Sequence, residues 1–132
     1  MKLFGIGTDI VKINRLKKSI SKKPFLLRIF SEEEIIKCKR IKKKSNCLAK
    51  RFAAKEAFSK ALGTGISKGI NFNEIIVLNE KSGKPYIKLK NKTKKIVAKK
   101  LKKKNYRISL SIADEKDYAV AFVTISIWKK II

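Results

Sequence analysis

The sequence predicts an α+β fold in which an antiparallel sheet packs on one long central helix. Helical patterns dominate the first half of the chain, and short strand patterns separated by turn residues dominate the second half. One uninterrupted helical pattern, residues 48–65, stands between them. Helices and strands segregated along the chain are typical of α+β domains. With 132 residues, 44% of them hydrophobic, the chain can bury one core. We therefore predict a single domain over residues 1–127 and a short tail over residues 128–132.

The first 30 residues are predicted to form one strand and two short helices. Residues 3–11 have an apolar strand pattern that Gly5 and Gly7 interrupt. Glycines within a strand indicate close approach of backbone or ligand. Residues 13–21 have an amphipathic helical pattern, and residues 25–30 form a further apolar turn of helix.

Three consecutive glutamates, residues 32–34, follow Ser31 and open the next helix. Ser31 and Glu34 have the spacing of a capping box, and the helix dipole favours acidic residues in a first turn. We therefore interpret the glutamates as helix-start residues rather than as a metal cluster. Residues 42–46 are predicted to be a solvated linker into the central helix.

The second half is predicted to contain two strand pairs around one helix. Strands over residues 74–78 and 86–89 flank a connection with glycine and proline, which is typical of a hairpin. Residues 90–104 form a lysine-rich helical pattern with a narrow apolar stripe. Residues 106–112 and 118–127 are the last two strands.

The central helix carries one acid in an unexpected place. On a helical wheel, Arg51, Lys55 and Ser59 form a polar stripe, whereas Glu56 lies among small and apolar residues. A buried carboxylate without a partner is costly. The partner is either Lys60, one turn further on, which would form a weak helical ion pair, or a metal ion. On this stretch alone the ion pair is the simpler interpretation.

Asp9 is a second carboxylate in an apolar setting. It is either a cap for the helix that follows, a role that Thr8 also fits, or a functional acid. One or two carboxylates completed by water and substrate phosphates are typical of a magnesium site. A magnesium–phosphate enzyme would also use Lys60 and the basic surroundings to stabilise charge.

The net charge of +25 arises from 35 Lys and Arg against 10 Asp and Glu. Such a charge favours anionic partners, although lysines spread over the whole chain are also what an A/T-rich genome would produce. A small basic nucleic-acid-binding protein of ribosomal type is therefore an alternative, supported by charge alone. Aromatic residues do not alternate with the basic runs as stacking platforms would. We interpret the main phenylalanines as core residues: Phe52, Phe58, Phe72 and Phe122.

The chain has two cysteines, Cys38 and Cys47, and no histidine, which argues against a disulfide framework and a zinc site. We expect reduced, buried thiols. No apolar run approaches the ~20 residues of a membrane span. Asp9 interrupts the first apolar segment too early for a signal peptide. These features predict a cytoplasmic protein that does not span a membrane.

Three motifs in order are more specific than any one of them. They are GIGTDIVKINRL at residues 5–16, AKRFAAKEAFSKALGTGI at residues 49–66 and ADEKDYAVAFV at residues 113–123. Together they resemble the holo-acyl-carrier-protein synthases, the short bacterial type of 4′-phosphopantetheinyl transferase. The resemblance extends from Leu3 to about Thr124.

The resemblance implies both a fold and a reaction. Members of this family are α+β proteins that assemble as homotrimers with active sites between subunits. They transfer 4′-phosphopantetheine from coenzyme A to a serine of apo acyl carrier protein and release adenosine 3′,5′-bisphosphate. The reaction depends on Mg²⁺ and supports fatty acid biosynthesis. Nucleic acid is not expected as a partner.

The resemblance also implies catalytic residues. Asp9 and Glu56 match the magnesium ligands, which would bridge to the pyrophosphate of coenzyme A and neutralise its charge. Lys60 matches the lysine that contacts the phosphates and assists the leaving group. Many members have a histidine where this chain has Asp114. The general base is therefore left open between Glu56 and Asp114.

Binding residues follow from the same match. Coenzyme A is expected to contact the central helix and the loop at its end, where glycines let the backbone approach: Arg51, Lys60, Gly63 and Gly65. Arg51 would meet the 3′-phosphate. Carrier proteins are acidic, and their expected docking surface lies on the first helix and the following turn: Arg15, Lys18, Phe25, Leu26 and Arg28. A basic surface raises the association rate more than it determines specificity.

Overall fold

A computed structural model describes residues 1–63 and 69–129, and it has the predicted α+β architecture. A 3₁₀ turn at Phe72–Glu74 precedes the second strand. The strands and helices are, in chain order, β1 (Lys2–Lys12), α1 (Ile13–Ile20), α2 (Lys23–Ile29), α3 (Glu32–Lys39), α4 (Lys44–Leu62), β2 (Ile75–Asn79), β3 (Pro85–Leu89), α5 (Asn91–Lys100), β4 (Asn105–Asp114) and β5 (Tyr118–Trp128).

The sheet that matters for the site has three antiparallel strands in the order β1-β5-β4. Its inner face packs on α4, because alternate residues of β5 such as Ala121, Val123 and Ile125 are buried there. The register pairs Gly7 with Val123 and Asp9 with Ala121. Strands β2 and β3 form a separate antiparallel pair. The long helix is thus the platform of the larger sheet, as predicted.

The outer face of this sheet is apolar and open. Ile6 and Ile10 on β1 and Val120 and Phe122 on β5 are all exposed. The prediction that Phe122 is a core residue is wrong, since the alternation that buries residues 121 and 123 turns Phe122 outward, where it is 45% exposed. A contiguous apolar patch on a protein surface usually marks an interaction site.

Two predicted boundaries are corrected. Helix α4 begins at Lys44, inside the segment 42–46 that was predicted to be a linker, because no glycine or proline interrupts the helical pattern there. Trp128 is the last residue of β5 rather than the start of a tail, and residues 130–132 lie outside the described part of the chain. Among the helices in the described ranges, none is long and apolar enough to cross a membrane.

Cys38 and Cys47 form a disulfide bond, so the prediction of reduced thiols is wrong. Cys38 lies near the end of α3 and Cys47 in the first turns of α4. The turn between these helices brings the two Cα atoms to 5.5 Å, a usual distance for a disulfide. Both side chains are buried. Their sequence separation alone does not reveal this proximity.

Candidate active site

The site begins where β1 lies unusually close to α4. A Cβ atom on Gly5 would lie 1.8 Å from the carbonyl oxygen of Ala61, and one on Gly7 would lie 1.9 Å from that of Ala57. Both contacts are with backbone, so only glycine fits. The predicted close approach is therefore between strand and helix. Because side chains alternate along a strand, Asp9 lies on the same face as Gly7 and faces α4.

Asp9 pairs with Lys60. The Nζ atom of Lys60 lies 3.1 Å from Oδ1 of Asp9 and donates to the carbonyl oxygen of Thr8 at 2.9 Å. The alternative that Thr8 or Asp9 caps α1 is wrong, because Lys12 is the N-cap residue and makes no side-chain cap bond. Asp9 is thus held by the central helix, near the carboxyl-terminal end of the sheet's edge strand.

Glu56 lies beside this pair and is half-buried. Burial raises the pKa of Glu56, the nearby negative charge of Asp9 raises it further, and the Lys60 ammonium opposes both. Within residues 1–63 and 69–129, the ion pair of Lys60 is with Asp9 and not with Glu56. The simple helical ion pair that the sequence favoured is therefore not the arrangement that forms.

The two acids open into one cavity of about 460 Å³. Its walls include Val11 and Arg15 as well as Phe25 and Phe52. A second cavity of about 410 Å³ shares Glu56, Phe25 and Phe52 with the first and adds Phe72. Glu56 thus lies where two adjoining cavities meet. The Phe52 ring centroid is 6.4 Å from that of Phe25 and 6.3 Å from that of Phe72, so aromatic rings form much of the wall.

The donor set of this cleft fits a magnesium ion. Asp9 and Glu56 supply hard carboxylate oxygens side by side, and Mg²⁺ prefers one or two carboxylates together with water and substrate phosphates. Burial and then the negative charge of Asp9 raise the pKa of Glu56, and a bound cation would stabilise the ionised carboxylate. Across the described residues, no three His, Cys, Asp or Glu side chains are grouped for metal binding.

Arg51 lies about 140° around α4 from Glu56, given 100° per residue, and lines a separate cavity of about 680 Å³. Only 3% of Arg51 is exposed. Its Nη1 donates to the carbonyl oxygen of Cys47 at 3.2 Å, and its Nη2 to Oδ1 of Asn79 at 2.9 Å. Among the residues that the structure describes, its Nε has no hydrogen-bond partner. Five lysines share this cavity: Lys37, Lys42, Lys43, Lys50 and Lys81.

Asp114 lies in this basic cavity and not in the cleft of Asp9 and Glu56. It accepts a hydrogen bond from Nδ2 of Asn46 at 2.8 Å, and Lys50 lies 3.6 Å from its other oxygen. One chain thus brings Asp9, Glu56 and Lys60 together and keeps Arg51 and Asp114 apart from them. The catalytic role of Asp114 stays a prediction.

Gly63 ends α4 as predicted. It has a left-handed φ of 86°, and its N–H donates to the carbonyl oxygens of Ser59 and Lys60. Among the described residues, no atom lies within 4 Å of a Cβ atom built there. Gly65, the other glycine predicted to approach coenzyme A, lies outside the described residues.

The predicted docking residues lie on α1 and α2. Arg15, Lys18 and Arg28 are exposed, and Phe25 and Leu26 are half-buried. Lys18, Phe25 and Arg28 line one surface cavity, and the Arg28 guanidinium lies 5.9 Å from the Phe25 ring centroid. Arg15 and Phe25 also line the cavity of Asp9 and Glu56, so the surface reaches the cleft. Leu26 lines a different cavity, beside α3.

The sequence pattern missed a buried ion pair. Lys55, the middle member of the polar stripe, lies 2.8 Å from Glu34, and both side chains are completely buried. Burial lowers the pKa of Lys55 to about 8, opposed by the Glu34 carboxylate. The capping box of Ser31 and Glu34 forms as predicted. A polar stripe at a spacing of four residues looks the same whether it faces water or a buried partner, so no signal in the sequence distinguishes the two.

Comparisons with known proteins agree with the fold. The family model described as "4′-phosphopantetheinyl transferase superfamily" matches residues 5–123. A holo-[acyl-carrier-protein] synthase of Pelagibacter ubique is 50% identical over 123 residues, which cover 93% of this chain and 96% of that protein.

Solved structures give the same result. A holo-[acyl-carrier-protein] synthase from Neisseria meningitidis superimposes with a TM-score of 0.81 and 37% identity, over 94% of this chain and 98% of that one. The corresponding enzyme from Bacillus anthracis, solved in complex with CoA (3′,5′-ADP), gives a TM-score of 0.77 and 36% identity, over 95% and 97%. The chain therefore belongs to the 4′-phosphopantetheinyl transferase superfamily and, within it, to the holo-acyl-carrier-protein synthases.

Proposed function

We propose that the chain transfers 4′-phosphopantetheine from coenzyme A to a serine hydroxyl of apo acyl carrier protein, with adenosine 3′,5′-bisphosphate as the other product. The observation that carries this proposal is the cluster of Asp9, Glu56 and Lys60, in which two carboxylates and an ammonium meet at one cleft. The coenzyme A bound to the Bacillus anthracis relative supports the same substrate here. A role in fatty acid biosynthesis and a cytoplasmic location extend the proposal.

Asp9 and Glu56 would hold the magnesium ion. The ion supplies charge neutralisation for the pyrophosphate of coenzyme A. Lys60 has 55% of its side chain exposed, so its ammonium can move from Asp9 to a phosphate oxygen when substrate arrives. There it would stabilise the negative charge that develops on the leaving group. The aromatic walls would exclude water from the reacting atoms.

The serine hydroxyl must lose its proton to a base. Glu56 is one candidate, because its carboxyl lies in the cleft where the hydroxyl would arrive. Asp114 is the other candidate, and it lies in the basic cavity of the same chain. Asp114 would therefore act at the cleft of a neighbouring subunit.

The basic cavity is proposed to hold the 3′-phosphate of coenzyme A. Arg51 contributes its positive charge to this cavity, and both Nη atoms are held in place, by Cys47 and by Asn79. Because this cavity and the Glu56 cleft lie on different sides of α4, one coenzyme A molecule would use the cleft of one subunit and the basic cavity of the next. The exposed apolar face of the sheet, with Ile10 and Phe122, supports a homotrimer that buries it.

The proposal is tested by mass spectrometry of the carrier protein. Purified enzyme, coenzyme A, Mg²⁺ and apo acyl carrier protein are expected to give a carrier heavier by one phosphopantetheine group, and a chelator is expected to prevent the gain. Glu56→Gln keeps the shape of the side chain and removes a metal ligand, so transfer should fall by about 100-fold or more. Its matched control is Glu33→Gln, an exposed glutamate on α3, which should leave transfer unchanged.

Two outcomes would contradict the proposal. Full transfer by Glu56→Gln would remove Glu56 from the metal site and from the role of base. A folded wild-type protein that modifies none of several carriers would overturn the transferase function itself. Salt-sensitive RNA binding would then be compared at equal ionic strength, because the charge of +25 is the remaining functional signal.

A further inference from the structure

A buried ion pair lies one residue along α4 from Glu56. Nζ of Lys55 is 2.8 Å from Oε1 of Glu34, and neither side chain is exposed. An ammonium group has three N–H donors. The other two donate to the backbone carbonyl oxygens of Phe72, at 2.8 Å, and Ile75. All three donors are therefore used inside the fold, and none is left for a ligand.

The carboxylate of Glu34 is equally occupied. Its Oε1 accepts hydrogen bonds from the backbone N–H of Ser31 at 3.0 Å and from the Ser31 hydroxyl at 3.1 Å, and its Oε2 accepts from the N–H of Val77 at 3.1 Å. The pair thus connects the start of α3, the middle of α4, the 3₁₀ turn before β2 and β2 itself. Four elements meet at one pair of charges.

This ion pair fixes the relative positions of the elements that it connects more than it stabilises the fold. A buried ion pair costs so much desolvation that apolar residues of similar volume often stabilise a protein equally well. What an apolar replacement would not provide is a directional bond to the carbonyl oxygens of Phe72 and Ile75. Lys55 therefore determines where the backbone of the 3₁₀ turn lies relative to α4.

The segment that Lys55 holds forms a wall of the candidate active site. Phe72 and Glu56 line the same cavity of about 410 Å³. The Phe72 ring packs edge-on against Phe52, at 6.3 Å between centroids. A shift of the Phe72 backbone would move this ring relative to the carboxylate of Glu56.

We propose that Lys55 and Glu34 are positioning residues for the transfer reaction, because the pair fixes the Phe72 wall of the cavity into which Glu56 opens. The inference rests on the proposed function. Neither side chain touches substrate, and both act through the backbone of Phe72. This role also explains why Lys55 is fully buried although the next residue on the helix, Glu56, is only half-buried.

The test uses a variant that removes the charges without leaving one of them unpaired. Lys55→Met combined with Glu34→Gln keeps one acceptor oxygen for Ser31 and deprives the carbonyl oxygens of Phe72 and Ile75 of the lysine donor. It also replaces the oxygen that accepts from the N–H of Val77 by an amide NH2, so Val77 is left out of the readout. Its matched control is Ile127→Ala. Ile127 is a core residue of β5, six residues beyond Ala121, the register partner of Asp9, and thus about 20 Å further along the strand.

Two readouts are combined, well below the melting temperature of every protein. Hydrogen exchange over residues 70–76 is expected to accelerate in the double variant and not in Ile127→Ala. The kcat/KM for coenzyme A is expected to fall about tenfold or more in the double variant, since a displacement of about 1 Å can cost about 100-fold. The KM for carrier protein should change by less than about twofold, because the exposed docking residues are untouched.

The outcomes separate the inference from the proposed function. Faster exchange with unchanged kinetics, or an equal kinetic loss in Ile127→Ala, would overturn the positioning role. Unchanged exchange would overturn it too, whatever the kinetics. A wild-type protein without transfer activity would overturn the proposed function and the catalytic half of this inference together, and the exchange data would still decide whether the pair holds the Phe72 wall.

Discussion

Two clusters of charged side chains lie on α4, and they differ in how completely their charges are satisfied. Lys55 and Glu34 are completely buried, and every donor of the lysine is bound within the fold. Lys60 and Asp9 are partly exposed, and Glu56 beside them has a raised pKa. The first cluster is closed and fixes geometry. The second is open to a cavity and can exchange an internal partner for a ligand.

The strongest test of this difference between the clusters is to make the same substitution in both. Lys55→Met leaves Glu34 buried without its counter-ion, so we expect a loss of about 3–5 kcal/mol in the free energy of unfolding. Lys60→Met removes a partly exposed pair, so stability should change by less than about 1 kcal/mol, while transfer falls strongly. Urea unfolding and the mass assay measure the two effects.

The comparison of Lys55→Met with Lys60→Met is informative because the two lysines lie five positions apart on one helix and both are replaced by methionine. Equal losses of stability would show that both clusters are structural. Unchanged transfer in a folded Lys60→Met would exclude Lys60 from phosphate binding.

The contact between β1 and α4 gives a second, smaller test. It positions Asp9 in the open cluster, and it does not involve Lys55 or Glu34. In Gly7→Ala the new Cβ would lie 1.9 Å from the carbonyl oxygen of Ala57, so β1 must move away from the helix. Overpacking of this kind costs about 1–3 kcal/mol. Asp9, two residues further along β1, should move with the strand, and transfer should fall with it.

Ile127→Ala serves again as the control that lowers stability without touching the contact between β1 and α4. We expect Gly7→Ala to lose far more transfer activity than Ile127→Ala when the two variants have lost a similar amount of stability. Calorimetry and the mass assay check this. Equal activities would mean that the placement of Asp9 tolerates movement of β1.

The sequence predicted the elements well because hydrophobic periodicity is a local signal. The start of α1, the start of β5 and the capping box at Ser31 all depend on neighbouring residues. What failed depends on tertiary contacts. The sequence around Asp9 is compatible with a helix cap or with a metal ligand. The cap is excluded because β1 continues to Lys12, which is the N-cap residue of α1.

The same limit explains the other corrections. The spacing of Cys38 and Cys47 does not show that α3 and α4 turn back to bring them together. Phe122 looked like core because its side chain is large and apolar, but strand alternation places it on the outer face. Asp9, Glu56 and Lys60 were proposed as site residues from the family motifs, and the structure brings the three side chains together. Lys55 stands in the same motif, and its buried role was visible only in three dimensions.

The smallest expected effect lies on the docking surface, outside both clusters. Arg28 is exposed on α2 and lies over the Phe25 ring. Arg28→Glu should raise the KM for an acidic carrier protein several-fold and leave kcat unchanged, because surface charge mainly sets the association rate. Raising the salt concentration should shrink the difference from wild type. Steady-state kinetics at two ionic strengths measure both effects.

Lys99→Glu on α5 is the matched control, since it makes the same change of sign at an exposed site remote in sequence from the docking residues. An equal rise in KM from Lys99→Glu would mean that the overall charge, and not a local surface, attracts the carrier. A change confined to the KM for coenzyme A would have a different meaning. Because Arg28 also lines the cavity of Glu56 and Phe72, it would assign Arg28 to that cavity and move the docking surface towards Arg15 and Lys18.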